Sequence, residues 1–159
     1  MARGARMDGT DRRLLRDLQA DASLTAEALG ARLGLSPSQA ARRRQGLEAG
    51  GVIRGYGARL DPEALGLGVQ AFVQVEMATH GAEAAAGFAR LVGALPEVAG
   101  AWTLTGEADY LLRLWCRDLA DLNRLLQERL LPHPAVARVR SRIVLEQLHP
   151  DSGLPVEPD

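Results

Sequence analysis

The six residues Gly34-Leu35-Ser36-Pro37-Ser38-Gln39 stop one helix and start another within a single turn of chain. Glycine accepts the left-handed backbone that ends a helix, serine caps the next one, and proline fits its first position. Glutamine three residues after the cap can bond back to the serine amide. Upstream, Thr25 can cap a short helix that buries Ala28, Leu29 and Leu33. Before it, Asp8 and Asp11 open a helix whose Leu14, Leu15 and Leu18 share one face and which ends near Ala20. Downstream, a third helix runs to about Ala49, stopped by Gly50-Gly51. Two short helices joined by a tight glycine-containing turn are the sequence form of a helix-turn-helix.

Steps of about 100° per residue put Ala40 and Leu47 on the inner side of the third helix and Ser38, Gln39 and Arg42 on the outer side. An arginine can fork onto guanine and a glutamine onto adenine in the major groove. Arg43 and Arg44 flank the apolar side, from where they reach toward phosphates. The candidate DNA-binding set is therefore Ser36, Ser38, Gln39, Arg42, Arg43 and Arg44. The alternative is that the arginine run is only a solvated helix face; its place on the second helix of a helix-turn-helix favours DNA. Charge supports this. All 19 basic residues are arginine, and the chain's net charge of −1 splits into about +5 over residues 1–60 and −6 over the rest. A basic first half beside an acidic second half points to a polyanion at one end only. Arg3 and Arg6 form either a DNA-grazing arm or a loose terminus.

The lone Cys116 lies in an apolar run, so no disulfide framework or thiolate metal site is available within one chain. No apolar stretch approaches the roughly 18 residues of a membrane helix, and Met1–Met7 has no signal-like apolar core. The expectation is a cytoplasmic protein with no metal, no cofactor and no membrane partner. The segment Gly66-Leu67-Gly68-Val69-Gln70-Ala71 matches a dinucleotide-binding spacing but precedes a strand and has no helix after it, so the phosphate-cradling geometry is missing.

Gly51–Leu60 is rich in glycine and β-formers and reads as a short strand and linker. From Gly68 to Met77 the residues alternate, with Val69, Ala71, Val73, Val75 and Met77 on one face. An alanine-rich helix opening at Thr79 and His80 buries Phe88, Leu91, Val92 and Leu95 and ends at Pro96. The runs Val98–Thr105 and Tyr110–Cys116 flank a hairpin turn, and Asp118 caps a helix that breaks at Pro132 and Pro134. Val136–Leu148 alternates again, with Val139, Ser141, Ile143 and Leu145 on one face. The order β, α, β, β, α, β is a ferredoxin-like unit, an antiparallel sheet with two helices on one face. Phe72, Trp102 and Val144 then look out from the other face, which needs a partner. The fold class is α+β: an N-terminal winged helix-turn-helix joined to a C-terminal ferredoxin-like βαββαβ domain. The expected divisions are 1–51 for DNA binding, 52–66 as hinge, 67–148 for effector binding and dimerisation, and 149–159 as a flexible tail.

Asp8-x-x-Asp11, Leu35-Ser36-Pro37-Ser38, Arg43, Leu47-Glu48-x-Gly50, Ile53, Tyr56 and Leu60-Asp61-Pro62 together resemble the Lrp/AsnC, or feast/famine, regulators. So do Pro96-Glu97-Val98 and Thr105-Gly106-x-x-Asp109-Tyr110. The resemblance implies a sequence-specific, often autoregulatory regulator of double-stranded DNA that works as a homodimer or a higher oligomer, a tetramer or octamer. It also implies a free amino acid bound between subunits near the Thr105-to-Asp109 turn. On that basis Gly106 would let backbone approach the ligand, Asp109 would answer its α-amino group, and Thr103, Thr105 and Ser141 would be polar walls. The competing reading is an ordinary Gly-x-x-Asp hairpin turn. Arg44 stands where the family pattern has an apolar residue, Gly46 weakens the third helix, and Ala108 replaces a bulkier residue.

Two other functions fit the same length. One is a DNA-organising protein of low sequence specificity, whose affinity would rest on phosphate contacts. The other is an enzyme like the sirohaem decarboxylases, which resemble these regulators in both domains. His80, His133 and His149 all lie off the strand Val98–Thr105 where that enzyme family carries its pattern, and no nucleophile–base set is visible, so the expectation is no enzyme.

Overall fold

A computed structural model describes residues 7–157 of the chain. They form two compact units, one of residues 7–59 with 148–157 and the other Leu60–Gln147. Arg3 and Arg6 lie outside the described residues.

The first unit holds α1 (Gly9–Ala20), α2 (Ala26–Leu33) and α3 (Pro37–Ala49). The expected capping box of Ser36 with Gln39 forms on α3, Asp8 caps α1 and is closed into a second box by Asp11, and Thr25 caps α2. Leu14, Leu18, Leu24, Leu29, Leu33, Ala40 and Leu47 build its core. The turn from α2 to α3 is tight enough that a Cβ on Gly30 would stand 2.7 Å from the Leu35 carbonyl oxygen. The same turn is tied by the Leu35 N–H, which donates to the Gly30 carbonyl at 2.9 Å.

The expected strand in Gly51–Leu60 does not form, and among the described residues this unit contains no strand, so the helix-turn-helix has no wing. A strand exists only where a neighbour supplies the other half of its ladder, and among the described residues none of the first unit pairs with this segment as a strand. The C-terminal residues read as a tail also behave differently: Leu154 is hydrogen-bonded to Gln19 of α1.

The second unit runs through a 3₁₀ turn at Glu63–Leu65, then β1 (Val69–Met77), α4 (Ala82–Gly93), β2 (Val98–Thr103), β3 (Tyr110–Cys116), α5 (Leu119–Leu125) and β4 (Val136–Ile143). A wider, π-type turn at Leu126–Leu130 extends α5. The strands form one antiparallel sheet in the order β2-β3-β1-β4, as the βαββαβ reading expects. Ala71, Val73, Val75, Leu112 and Leu114 point to α4 and α5 and are buried with Phe88, Leu122, Leu125 and Leu130. The other face carries Phe72, Leu111, Trp115 and Trp102, the last 47% exposed. β4 stops at Ile143 rather than Leu148 because its partner β1 begins at Val69, leaving one further bond, from the Val144 N–H to the Gln70 carbonyl at 2.9 Å. α4 starts after Gly81 and ends at Gly93, shorter at both ends than expected, and β2 ends at Thr103, which widens the turn before β3.

Gly30→Ala should cost the first unit roughly 1–3 kcal/mol, because the added methyl meets backbone that cannot rotate away. Thermal unfolding of the full chain should show a lowered transition for this unit and an unchanged one for the sheet unit.

Candidate DNA-binding surface and effector pocket

On α3, Ser36 and Gln39 are occupied by the cap. The Gln39 N–H donates to Ser36 Oγ at 3.2 Å and the Ser36 N–H donates to Gln39 Oε1 at 3.0 Å. The Ser36 and Ser38 hydroxyls stand 3.1 Å apart. These groups set where the helix begins, which fixes the azimuth of every residue after them. Arg42 is exposed and, among the described residues, makes no hydrogen bond or ion pair. Gln45, three residues on, is exposed too, so Ser38, Arg42 and Gln45 form one outward stripe at helical spacing. Gln45 is a further candidate beyond those expected from the sequence, legible there only in its three-residue spacing from Arg42, and its amide suits adenine.

The structure turns Arg43 and Arg44 onto the protein instead. Arg43 Nη1 donates to Asp8 Oδ2 at 2.8 Å and to Asp11 Oδ1 at 2.7 Å, so the carboxylates that cap α1 also anchor α3. The Asp11 N–H and then Arg43 hold the Asp8 carboxyl below its usual 3.8. Arg44 Nε donates to Glu48 Oε1 at 3.1 Å and to the Tyr56 hydroxyl at 3.0 Å, and its Nη1 donates to the Leu24 carbonyl at 3.2 Å. Its guanidinium also lies 4.7 Å from the Tyr56 ring centre, and the Tyr56 hydroxyl donates to Glu48 at 2.7 Å. Hydrogen bonds from Tyr56 and Arg44 lower the Glu48 carboxyl. Arg44 thus forms a polar latch joining α3, the entry to α2 and the segment after α3.

In the sheet unit, a cavity of about 180 Å³ is lined by Met77, Thr79, His80, Thr103, Asp109 and Tyr110, with Ala85 and Leu104. Asp109 sits where β3 begins. Its Oδ2 accepts the Met77 N–H at 2.7 Å, and Oδ1 lies 3.3 Å from His80 Nδ1. Its own N–H donates to the Val75 carbonyl at 3.0 Å. Of the expected effector residues, Thr103 and Asp109 meet here. Thr105 and Gly106 stay in the exposed turn, where Gly106 adopts a φ of +113°, and neither lines the cavity. Ser141 lies on β4, at the opposite edge of the sheet from the β2 that carries Thr103, about three strand spacings or 14 Å away. Met77, Thr79 and His80 were not singled out as walls. The end of β1 approaches the β2–β3 turn only through the sheet pairing.

His133 packs edge-on to Phe88 at 5.7 Å, and His149 bonds Ser152. Among the described residues no group of three or more His, Cys, Asp or Glu is placed to hold a metal ion, and no helix is long and apolar enough to cross a membrane. Burial pushes the Cys116 thiol up to about 11, which keeps it protonated and unreactive.

A helix-turn-helix with an outward stripe of Ser38, Arg42 and Gln45, joined in one chain to a βαββαβ sheet unit, defines a two-domain regulator of transcription. Residues 7–48 match the AsnC-type helix-turn-helix domain, and residues 70–154 match the Lrp/AsnC ligand binding domain. The chain is 34% identical over 151 residues to the DNA-binding transcriptional activator DecR of Escherichia coli strain K12, covering 95% of this chain and 99% of that protein. It is 30% identical to the transcriptional regulator AzlB of Bacillus subtilis strain 168, covering 97% and 98%. In fold it superposes on the transcriptional regulator NMB0573 of Neisseria meningitidis, solved as a complex with L-Met, with a TM-score of 0.90 and 38% identity over 94% of this chain and 96% of that one. The chain belongs to the Lrp/AsnC family of transcription regulators, and its relatives are regulators rather than enzymes.

Arg43→Ala should destabilise the first unit, and the loss should depend on pH. Because Asp8 is lowered in the folded state, its stabilisation is present above the unfolded carboxylate value near 3.8 and disappears as pH falls through the lower folded value. Melting curves of the wild type and Arg43→Ala should differ by a constant amount well above the unfolded carboxylate value of 3.8 and converge as pH falls through the lowered folded value of Asp8.

Proposed function

We propose that this chain is an autoregulatory transcription regulator that reads double-stranded DNA with the outer stripe of α3 and adjusts its binding to a free amino acid held around Asp109. The observation that carries the DNA reading is the stripe itself: Ser38, Arg42 and Gln45 are exposed together on the second helix of the helix-turn-helix, while Arg43 and Arg44 are used within the unit. Ser36 and Gln39 contribute by setting the start of α3 near the phosphates. Arg42 is the residue placed to fork onto a guanine edge.

The effector reading is supported by the cavity's chemistry. Asp109 spends one oxygen on the Met77 N–H and turns the other, beside His80 Nδ1 at 3.3 Å, to the cavity, where a ligand ammonium would compete with His80 for it; Thr103 adds a hydroxyl, and Met77, Leu104 and Tyr110 supply an apolar wall. The cavity is smaller than the roughly 300–1,000 Å³ of drug-sized sites, which suits a small metabolite. The related Neisseria regulator's L-Met complex points the same way. Thr105, Gly106 and Ser141 take part only if a second copy brings them to the ligand. The open sheet face, with Phe72, Leu111, Trp115 and exposed Trp102, supports a homodimer, and through it higher assemblies such as tetramers or octamers. Residues 52–66 act as the hinge.

The test is binding of the purified protein to its own upstream DNA and to scrambled DNA, at two salt concentrations, with and without an amino-acid pool. A preference for its own upstream DNA that shifts with the pool is expected, and Asp109→Ala should abolish the shift while changing effector-free affinity less than about twofold. Equal, steeply salt-dependent binding to both DNAs would instead establish a DNA-organising protein. No binding to either would overturn the regulator reading.

A further inference from the structure

The DNA-binding unit is not closed by its first sixty residues alone. The chain leaves it at Arg59 and comes back at Leu148. His149 and Ser152 bond across a turn at 3.2 Å, and the chain then lies against α1. There the side-chain amide of Gln19 engages both polar groups of one residue: Leu154 N–H donates to Gln19 Oε1 at 2.6 Å, and Gln19 Nε2 donates to the Leu154 carbonyl at 3.1 Å. Two bonds of opposite polarity to a single residue fix the register of the segment, because a slip of one residue loses both.

Gly153 makes the approach possible. Its φ is +89°, a backbone that side-chain-bearing residues rarely adopt, and a Cβ there would stand 2.4 Å from Gln19 Oε1. Either the segment or the amide would have to move, and moving the amide breaks both bonds. Beyond them, Pro155 and half-buried Val156 form one wall of a groove of about 790 Å³ whose other walls include Leu15, Leu18, Val52 and Ile53.

Gln19 lies near the C-terminal end of α1, and the same helix carries Asp11 in its first turn and Asp8 as its cap, both bonded to Arg43 of α3. A contact at one end of a rigid twelve-residue helix therefore reaches α3 at the other. We propose that residues 153–157 are a strap that completes the DNA-binding unit by holding α1, and through Asp8, Asp11 and Arg43 steadies the reading helix. Loosening the strap then weakens DNA binding without touching any residue that faces DNA. The DNA arm of this inference rests on the regulator reading; the strap itself does not.

Two full-length or near full-length variants test it: Gly153→Val, and a chain ending at His149. Amide hydrogen exchange should show α1 opening at least about fivefold more readily in both, the effect of losing one net hydrogen bond or more, with α4 amides unchanged as proof that the sheet unit is intact. Affinity for the protein's own upstream DNA should fall by a similar factor. Unchanged α1 exchange in both variants would overturn the strap. Faster α1 exchange with undiminished DNA affinity would overturn its coupling to α3. If the intact chain bound no DNA at all, the regulator reading would fail, while the exchange measurement would still decide whether the strap exists.

Discussion

The missing side chain at Gly30 is the constraint on which the DNA-binding unit depends. With the Leu35 carbonyl oxygen 2.7 Å from where a Cβ would be, α2 and α3 can turn closely enough for Leu29, Leu33, Ala40 and Leu47 to share one core with Leu14 and Leu18 of α1. Once that core closes, the azimuth of α3 is set, and with it which arginines face inward and which face out. The capping box of Ser36 and Gln39 sharpens the same decision by fixing the first residue of the helix.

From that azimuth comes a division of labour in three consecutive arginines. Successive residues on a helix are about 100° apart, so Arg42, Arg43 and Arg44 cannot serve one surface. Arg43 is spent on two carboxylates of α1 and Arg44 on Leu24, Glu48 and Tyr56, which leaves Arg42 with Ser38 and Gln45 on the exposed side. The inner pair are ion pairs and hydrogen bonds of modest individual strength, but they tie α3 to three separate parts of the unit. In the sheet unit an analogous economy holds. Two helices cover one face of four strands, and the uncovered face carries Trp102, Phe72, Leu111 and Trp115 among Gln70, Gln74 and Arg113.

Much of this was legible in the sequence wherever the cause was local. Both capping boxes join residues three apart, the strands alternate with period two, and Pro132 marks the end of α5 and its extension. Contacts between distant residues were not legible. Arg43 meets carboxylates 32 and 35 residues away, and Gln19 meets a residue 135 away, so no periodicity carries those pairings. The segment Gly51–Leu60 has the composition of a strand but lacks a partner in its own unit. The separation of Ser141 from Thr103 is a different case: a βαββαβ unit already implies that its second and fourth strands are opposite edges, so the topology could have divided the expected effector set. Asp109 was legible through the resemblance carried by Thr105-Gly106-x-x-Asp109-Tyr110, against the competing reading of an ordinary hairpin turn. Its neighbours Met77, Thr79 and His80 became visible only through the pairing of β1 with β3.

The most direct measurement compares Arg42→Ala with Arg44→Ala in their affinity for the protein's own upstream DNA and for scrambled DNA, at one temperature where both variants are folded. If Arg42 reads a base edge and Arg44 holds the fold, Arg42→Ala loses about 1–3 kcal/mol on the cognate DNA and much less on the scrambled DNA, while Arg44→Ala changes both alike. Equal losses for Arg42→Ala on the two DNAs, or a selective loss for Arg44→Ala, would contradict the assignment of α3's outer stripe as the reading surface.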